Sequence, residues 1–264
     1  MSESRLASVW EALDAGRRTA LIPYLTAGYP SAQTSLDALR AADEFADIIE
    51  VGVPFSDPLA DGPTIQRSTY EALQAGMTLT GTLELVARAR LTCPVVIFSY
   101  LNPILRYGVD RFLREAERLG VGGLLLTDLP AGSDPAVESA VQASTLDLIR
   151  LVAPTTRPDR IAAAVAGAEG FGYLVARLGV TGATASLARG LADSIAQLRR
   201  ATSLPIAVGF GISTPAQAAD VGRLADGVVV GSALVDVLAR EGVEGTRRFL
   251  ASLRQALDQG APVS

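Results

Sequence analysis

Apolar residues along this chain follow two alternating patterns. Short runs rich in Val, Ile and Leu occupy Thr19–Thr26, Asp47–Val51, Val95–Tyr100, Gly123–Thr127, Leu146–Ala153, Gly170–Ala176, Pro205–Val208 and Gly227–Val230. Between them apolar positions recur at helical spacing, over Ser35–Asp43, Ile65–Ala75 with Thr82–Leu91, Val109–Leu119, Pro135–Ala143, Asp159–Ala166, Leu191–Ala201, Pro215–Val221 and Ala233–Arg240 with Gly245–Leu257. Several of the short runs are apolar at consecutive positions, as strands covered on both faces are. Eight strands, each followed by a helical segment, predict an α/β fold, a single (β/α)8 TIM barrel spanning residues 1–264. Ser4–Gly16 precedes the first strand and places Leu6, Val9, Trp10 and Leu13 on one stripe, so an extra N-terminal helix is expected across the lower end of the barrel. Gly260–Ser264 is expected to be a frayed tail. A doubly wound open sheet would want a glycine-rich turn after the first strand, and here that strand runs into TAGYP instead.

One run breaks its own pattern. Ile48–Val51 is apolar except for Glu50, and the loop behind it carries Pro54, Pro58 and Pro63 together with Asp57 and Asp61. Side chains alternate along a strand, so Glu50 shares a face with Ile48. If that face points into the barrel, Glu50 stands desolvated at its mouth, where burial raises a carboxyl pKa and suits it to proton exchange near neutrality. A glutamate that has simply reached solvent at a strand end satisfies the same pattern. The prolines limit the backbone of the loop, which lowers the entropy cost of holding Asp57 and Asp61 in place, although D-P and D-G are also ordinary turn chemistry.

Composition narrows the chemistry further. The formal net charge is −5 with no basic stripe, which disfavours nucleic acid. All 23 cationic side chains are arginine and there is no histidine. Without lysine there is no Schiff base, no pyridoxal phosphate attached to this chain and no Walker phosphate loop. Without histidine there is no Ser-His-Asp triad and no His-ligated metal, and no metal site is expected. Proton transfer falls to Asp, Glu, Tyr, Cys or water. Cys93, the only cysteine, precedes Pro94 at the entrance of an apolar run and reads as a buried, inert thiol. A chain with no internal disulfide fits a reducing cytoplasm, and no segment has the roughly 18 consecutive apolar residues of a membrane span. The early acidic residues Glu3, Glu11 and Asp14 argue against a signal peptide.

In a barrel, functional side chains belong at the C-terminal strand ends and in the loops that follow. Strand six presents Tyr173 and runs into a Gly/Thr/Ser-rich stretch, Leu178–Ser186, a candidate lid. Strand seven runs into Gly209-Phe210-Gly211-Ile212-Ser213 and strand eight into Gly231-Ser232, each with a helix starting at once. Glycines there let backbone N–H groups approach an anion at a helix N-terminus, a phosphate site that needs no lysine. Helix capping by Ser213 and Ser232 accounts for the serines equally well. Tyr24, Phe98, Tyr100, Leu125 and Phe210 at the strand ends suit a flat apolar ligand.

The segment EVGVPFSDPLADGPTIQ (Glu50–Gln66), with PYLTAGYP before it and YLNPI (Tyr100–Ile104), DLP (Asp128–Pro130), GVTGA (Gly179–Ala183), GFGIS (Gly209–Ser213) and GSALV (Gly231–Val235) after it, closely resembles the tryptophan synthase alpha chain family. The likeness runs in order over nearly the whole chain, and the first motif is long and specific. The resemblance implies a lyase of aromatic amino-acid biosynthesis that cleaves indole-3-glycerol phosphate to indole and glyceraldehyde 3-phosphate. It implies Glu50 as general acid–base, Asp61 as acceptor for the indole N–H and Tyr173 beside Glu50. Phosphate contacts would come from Gly182, Gly211, Gly231 and Ser232, and the indole pocket from Tyr24, Phe98, Tyr100, Leu125, Thr181 and Phe210. The implied partner is a beta chain, in an alpha2beta2 heterotetramer. That partner carries pyridoxal phosphate, and this chain carries no cofactor. Pro54, Asp57 and Asn102 are the implied interface residues. A stand-alone indole-releasing lyase and a non-catalytic activating barrel are the alternatives, and the presence of Glu50, Asp61 and Tyr173 speaks against the second.

Overall fold

The strand-and-helix alternation closes into a barrel. The computed structural model describes residues 4–153, 155–175, 185–209 and 211–260. Its strands are β1 (Ala20–Thr26), β2 (Ile49–Gly52), β3 (Val95–Ser99), β4 (Gly123–Leu126), β5 (Asp147–Val152), β6 (Gly172–Val175), β7 (Ile206–Gly209) and β8 (Gly227–Val230). They pair in parallel in chain order, and β8 returns to β1 through the rows Ala20↔Gly227 to Pro23↔Val230. The helices are α1 (Arg5–Ala15), α2 (Ala32–Asp43), α3 (Pro63–Gln74), α4 (Leu79–Ala89), α5 (Leu101–Tyr107), α6 (Val109–Leu119), α7 (Pro135–Gln142), α8 (Pro158–Ala164), α9 (Ala185–Ala201), α10 (Pro215–Gly222) and α11 (Ser232–Gly260). Gly242, at φ 65° and ψ −162°, breaks α11 between the two helical patterns read there from sequence.

Alternation along each strand separates two cores. Ile22, Ile48, Val96, Leu125, Ile149, Tyr173, Ala207 and Val229 fill the barrel. Leu21, Leu25, Ile49, Val51, Ile97 and Leu124 face outward into the layer shared with the helices. The face that carries Ile48 is therefore the inner one, and Glu50 lies on it.

At the N-terminal end of the strands α1 buries Leu6, Trp10 and Leu13 into the interior cluster. Ser4 caps this helix by accepting from the Ala7 N–H, and its own hydroxyl donates to Asp147 at the start of β5. Trp10 lies against Phe171 at 5.6 Å, and its ring also occupies the place a Cβ would take at Gly227. The expected plug at the barrel floor is thus present.

One element had no counterpart in the sequence pattern. YLNPI opens a seven-residue helix, α5, with Pro103 in its first turn, where a missing N–H costs nothing. The Asp128 carboxylate accepts from the Leu101 N–H at 2.7 Å at the start of that helix. The tail residues 261–264 lie outside the described residues.

Candidate active site

The chemistry collects at the C-terminal end of the strands, and Glu50 is its centre. The side chain is fully buried, and among the described residues neither carboxylate oxygen has a hydrogen-bond partner. Burial alone pushes its pKa up to about 8, because nothing nearby favours the charged form. Tyr24 is the Cα partner of Glu50 across β1 and β2, so the two side chains stand side by side on the inner face.

Asp61 enters from the loop after β2. Burial raises its carboxyl to about 6, and a hydrogen bond from Tyr100 opposes the rise. The Tyr100 hydroxyl also accepts from the Ala60 N–H at 2.9 Å, which ties the loop to the end of β3. Phe55 from the same loop packs on the Tyr100 ring at 5.1 Å. Burial first, and the Asp61 charge second, push Tyr100 up to about 12, so it stays a neutral donor.

Tyr173 is buried on β6 and held neutral, by desolvation first and by the nearby Glu50 charge second. Its hydroxyl occupies the space that a side chain at Gly209 would fill. Tyr24 uses Gly52 in the same way. Each glycine therefore admits a tyrosine hydroxyl from the strand next to it. Tyr24 meets Phe98 edge-on at 5.3 Å, and Leu125 is fully buried below them. Glu50, Asp61 and Tyr173 thus converge with Tyr24, Phe98, Tyr100 and Leu125 on one mouth. A neutral buried acid, a half-buried carboxylate and apolar ring walls can together hold a flat aromatic ligand and exchange protons with it.

Gly211 and Gly231 lie two residues beyond the paired row Gly209↔Val229, so they are neighbours on the rim. Gly211 has φ 83°, a left-handed conformation that favours glycine. Ser232 opens α11, whose first-turn N–H groups lack partners within the helix and face the mouth end of β8. Capping at α10 is done by Thr214, which accepts from the Gln217 N–H, and not by Ser213, which donates to the Gln217 side chain. Thr181, Gly182 and Phe210, and Leu178–Thr184 of the candidate lid, lie outside the described residues.

The interface candidates divide. Asp57 and Asn102 are exposed, whereas Pro54 is buried within this chain and shapes the loop from below. Sequence reasoning passed over the two most conspicuous neighbours. Leu59 is 93% exposed on the loop after β2, and Leu105 is 47% exposed on α5. A leucine among prolines and aspartates was the available signal for the first. It also passed over the hydroxyls of Thr26 and Ser68, which lie 2.7 Å apart beneath Tyr24.

The remaining features carry no competing chemistry. A cavity of about 840 Å3 lies at the opposite end, lined by α1 and the lower strand ends. Charged groups around it are largely paired, as in Arg199–Asp226 at 2.9 Å. Among the described residues no group of His, Cys, Asp and Glu is suited to hold a metal, and no helix is long and apolar enough to cross a membrane. The Cys93 thiol is half-buried and raised, by burial first and by Asp43 second.

Comparison with known proteins converges on one family. The family model described as tryptophan synthase alpha chain matches residues 10–260. The tryptophan synthase alpha chain of Gloeobacter violaceus is 47% identical, over 98% of this chain and 96% of its own length. That of Chloroflexus aggregans is 44% identical, over 97% of this chain and 99% of its own. Among solved structures, an aminoacrylate-bound tryptophan synthase from M. tuberculosis superposes with a TM-score of 0.87 at 38% identity, covering 97% of this chain and 100% of that one. The alpha subunit from Legionella pneumophila superposes with a TM-score of 0.88 at 34% identity, covering 98% and 100%.

Proposed function

The chain belongs to the tryptophan synthase alpha chain family, and from that premise and the geometry of the mouth we propose that it cleaves indole-3-glycerol phosphate to indole and glyceraldehyde 3-phosphate. The observation that carries this reading is Glu50, a fully buried carboxyl without a partner among the described residues, raised to about 8. At neutral pH it is a carboxylic acid. Its proton goes to the indole ring carbon that bears the side chain, and the ring nitrogen takes on positive charge. Asp61, ionised above about 6, accepts the ring N–H and stabilises that charge. The Glu50 carboxylate then takes the proton of the neighbouring side-chain hydroxyl. As that O–H becomes the aldehyde C=O, the carbon–carbon bond breaks and its electron pair returns to the ring, releasing indole. Glu50 ends as it began, and neither Schiff base nor metal is needed.

Tyr173 borders the acid. Tyr24, Phe98, Tyr100 and Leu125, with Thr181 and Phe210, wall the ring. Gly211, Gly231 and Ser232, with Gly182, hold the phosphate on backbone N–H groups at a helix N-terminus. The alpha reaction is a lyase step. The indole passes to a beta chain carrying pyridoxal phosphate, in a cytoplasmic alpha2beta2 assembly, with Asp57, Asn102 and the loop shaped by Pro54 toward the partner. The exposed Leu59 and Leu105 support that orientation. Residues 1–264 act as one domain.

Indole release from indole-3-glycerol phosphate by the purified chain tests the reading, with Glu50→Gln as the control. Turnover at the wild-type rate in that variant would remove Glu50 from the mechanism.

A further inference from the structure

We propose that Asp128 is a positioning residue for Asp61: its carboxylate fixes the peptide that follows Tyr100, and the Tyr100 phenol, set by that peptide, holds the loop at Ala60, beside Asp61. The inference rests on the reading of Asp61 as the acceptor of the ring N–H.

Tyr100 stands where the chain leaves β3 for α5. Its backbone is still extended, at φ −99° and ψ 161°, and its side chain does not cap the helix it precedes. The direction of its ring therefore depends on how the next peptide is held, and that peptide is held at both ends. The Leu101 N–H is donated to Asp128 Oδ1 at 2.7 Å, and the Tyr100 carbonyl accepts from the Ser99 hydroxyl at 2.9 Å. Ser99 belongs to the same strand end, so of the two only Asp128 ties the turn to another element.

Asp128 is exposed, but the backbone on either side of it is fixed. The Thr127 N–H is donated to the Ser99 carbonyl at 3.0 Å, and the Leu129 carbonyl accepts from the buried Arg150 at 2.9 Å. Glu138, paired with Arg150, accepts from the Gly132 N–H at 2.8 Å. The carboxylate is thus presented from a loop already ordered, and little freedom is lost when it takes the Leu101 N–H.

The far end of this chain of contacts is the Tyr100 hydroxyl, which accepts from the Ala60 N–H at 2.9 Å and donates to Asp61. Phe55, from the same loop, lies on the ring at 5.1 Å. The backbone of Asp61 is otherwise held by its own loop and by α3, with its N–H on the Pro58 carbonyl and its carbonyl on Gln66. Tyr100 is what joins the Ala60–Asp61 turn to β3. A role of Asp128 confined to α5 would support that helix and leave Ala60 unaffected.

Hydrogen exchange at the Ala60 amide, followed by NMR on the full chain, separates the two roles. Asp128→Ala should speed that exchange about tenfold. Asp128→Asn keeps an acceptor for the Leu101 N–H and should hold exchange within about threefold of wild type. In a Tyr100→Phe chain, where Ala60 has no phenol to bind, Asp128→Ala should add nothing. In turnover, Asp128→Ala should lower kcat about tenfold with less change in KM, because charge on the ring nitrogen develops in the transition state. Tyr100→Phe should already contain that loss. Unchanged exchange at Ala60 in Asp128→Ala, equal damage from Asp128→Asn, or full additivity with Tyr100→Phe would overturn the proposal. The exchange measurement needs no substrate, so it fails or succeeds separately from the catalytic reading, which Glu50→Gln tests.

Discussion

A buried carboxyl without a donor is costly to ionise, and that cost has a sign. The Glu50 pKa is raised in the folded chain to about 8, so its contribution to stability is fully present below the unfolded value and is lost as pH rises toward and through 8. Glu50→Gln escapes that loss. One pKa unit is worth about 1.4 kcal/mol, so the variant should gain on the order of 3–5 kcal/mol over wild type at pH 9, and little at pH 5, in paired denaturant titrations. It should lose turnover by roughly 10²–10⁴ at every pH. The pair Glu50 and Asp61 should also give a bell-shaped kcat/KM, with limbs near 6 and 8 set by an ionised Asp61 and a protonated Glu50. Tyr100→Phe removes the hydrogen bond that lowers the Asp61 value, so the acid limb should move up while the basic limb stays. A fixed acid limb would mean that Tyr100 does not act on Asp61. The position of Glu50 was legible in the sequence because the alternation with Ile48 is a local property of one strand. The Tyr100 hydrogen bonds were not, since they join residues about 40 positions apart whose meeting depends on the bend of a loop.

At the scale of elements, strand order and the floor helix were legible for the same local reason, and α5 was not. Its seven residues are too few to show a period, and its proline reads as a breaker until the helix start is known. A buried ion pair was equally hidden. Arg150, 3% exposed on the outer face of β5, donates to Glu138 of α7 and, at 2.9 Å, to the Leu129 carbonyl. It thereby pins the loop after β4, the loop whose Asp128 holds the start of α5. Removing one partner strands the other charge. Arg150→Met should therefore destabilise by about 3–5 kcal/mol, and Glu138→Gln in the same chain should recover part of that, measured by thermal or urea unfolding. At the opposite end, Leu6 is fully buried under the barrel, and Leu6→Ala should cost about 2–5 kcal/mol while leaving the pH profile of the mouth unchanged.

The molecule as a whole separates support from chemistry along the barrel axis. Proton carriers collect at the C-terminal rim together with the exposed Leu59 and Leu105, and the floor formed by α1 lies at the other end. Leu59→Asp with Leu105→Asp should weaken binding of a beta chain by tenfold or more in titration calorimetry, and leave indole release by the isolated chain within about twofold. A loss of the isolated activity would instead place these leucines in the site. This polarity could not be read from composition, which averages both ends into a single net charge of −5. It shows in where the motifs stand, since Glu50, Tyr173 and the glycines after β7 and β8 all lie at strand C-termini. The floor has one more property. Trp10 is the only tryptophan in the chain, and it is enclosed between Phe171 and the backbone of β8 at Gly227. Its emission therefore reports whether the last strand has met the first, with no contribution from any other indole of the protein. During synthesis that signal cannot reach its folded value until the chain has passed β8, so fluorescence followed along a series of C-terminal truncations would date the moment the barrel closes.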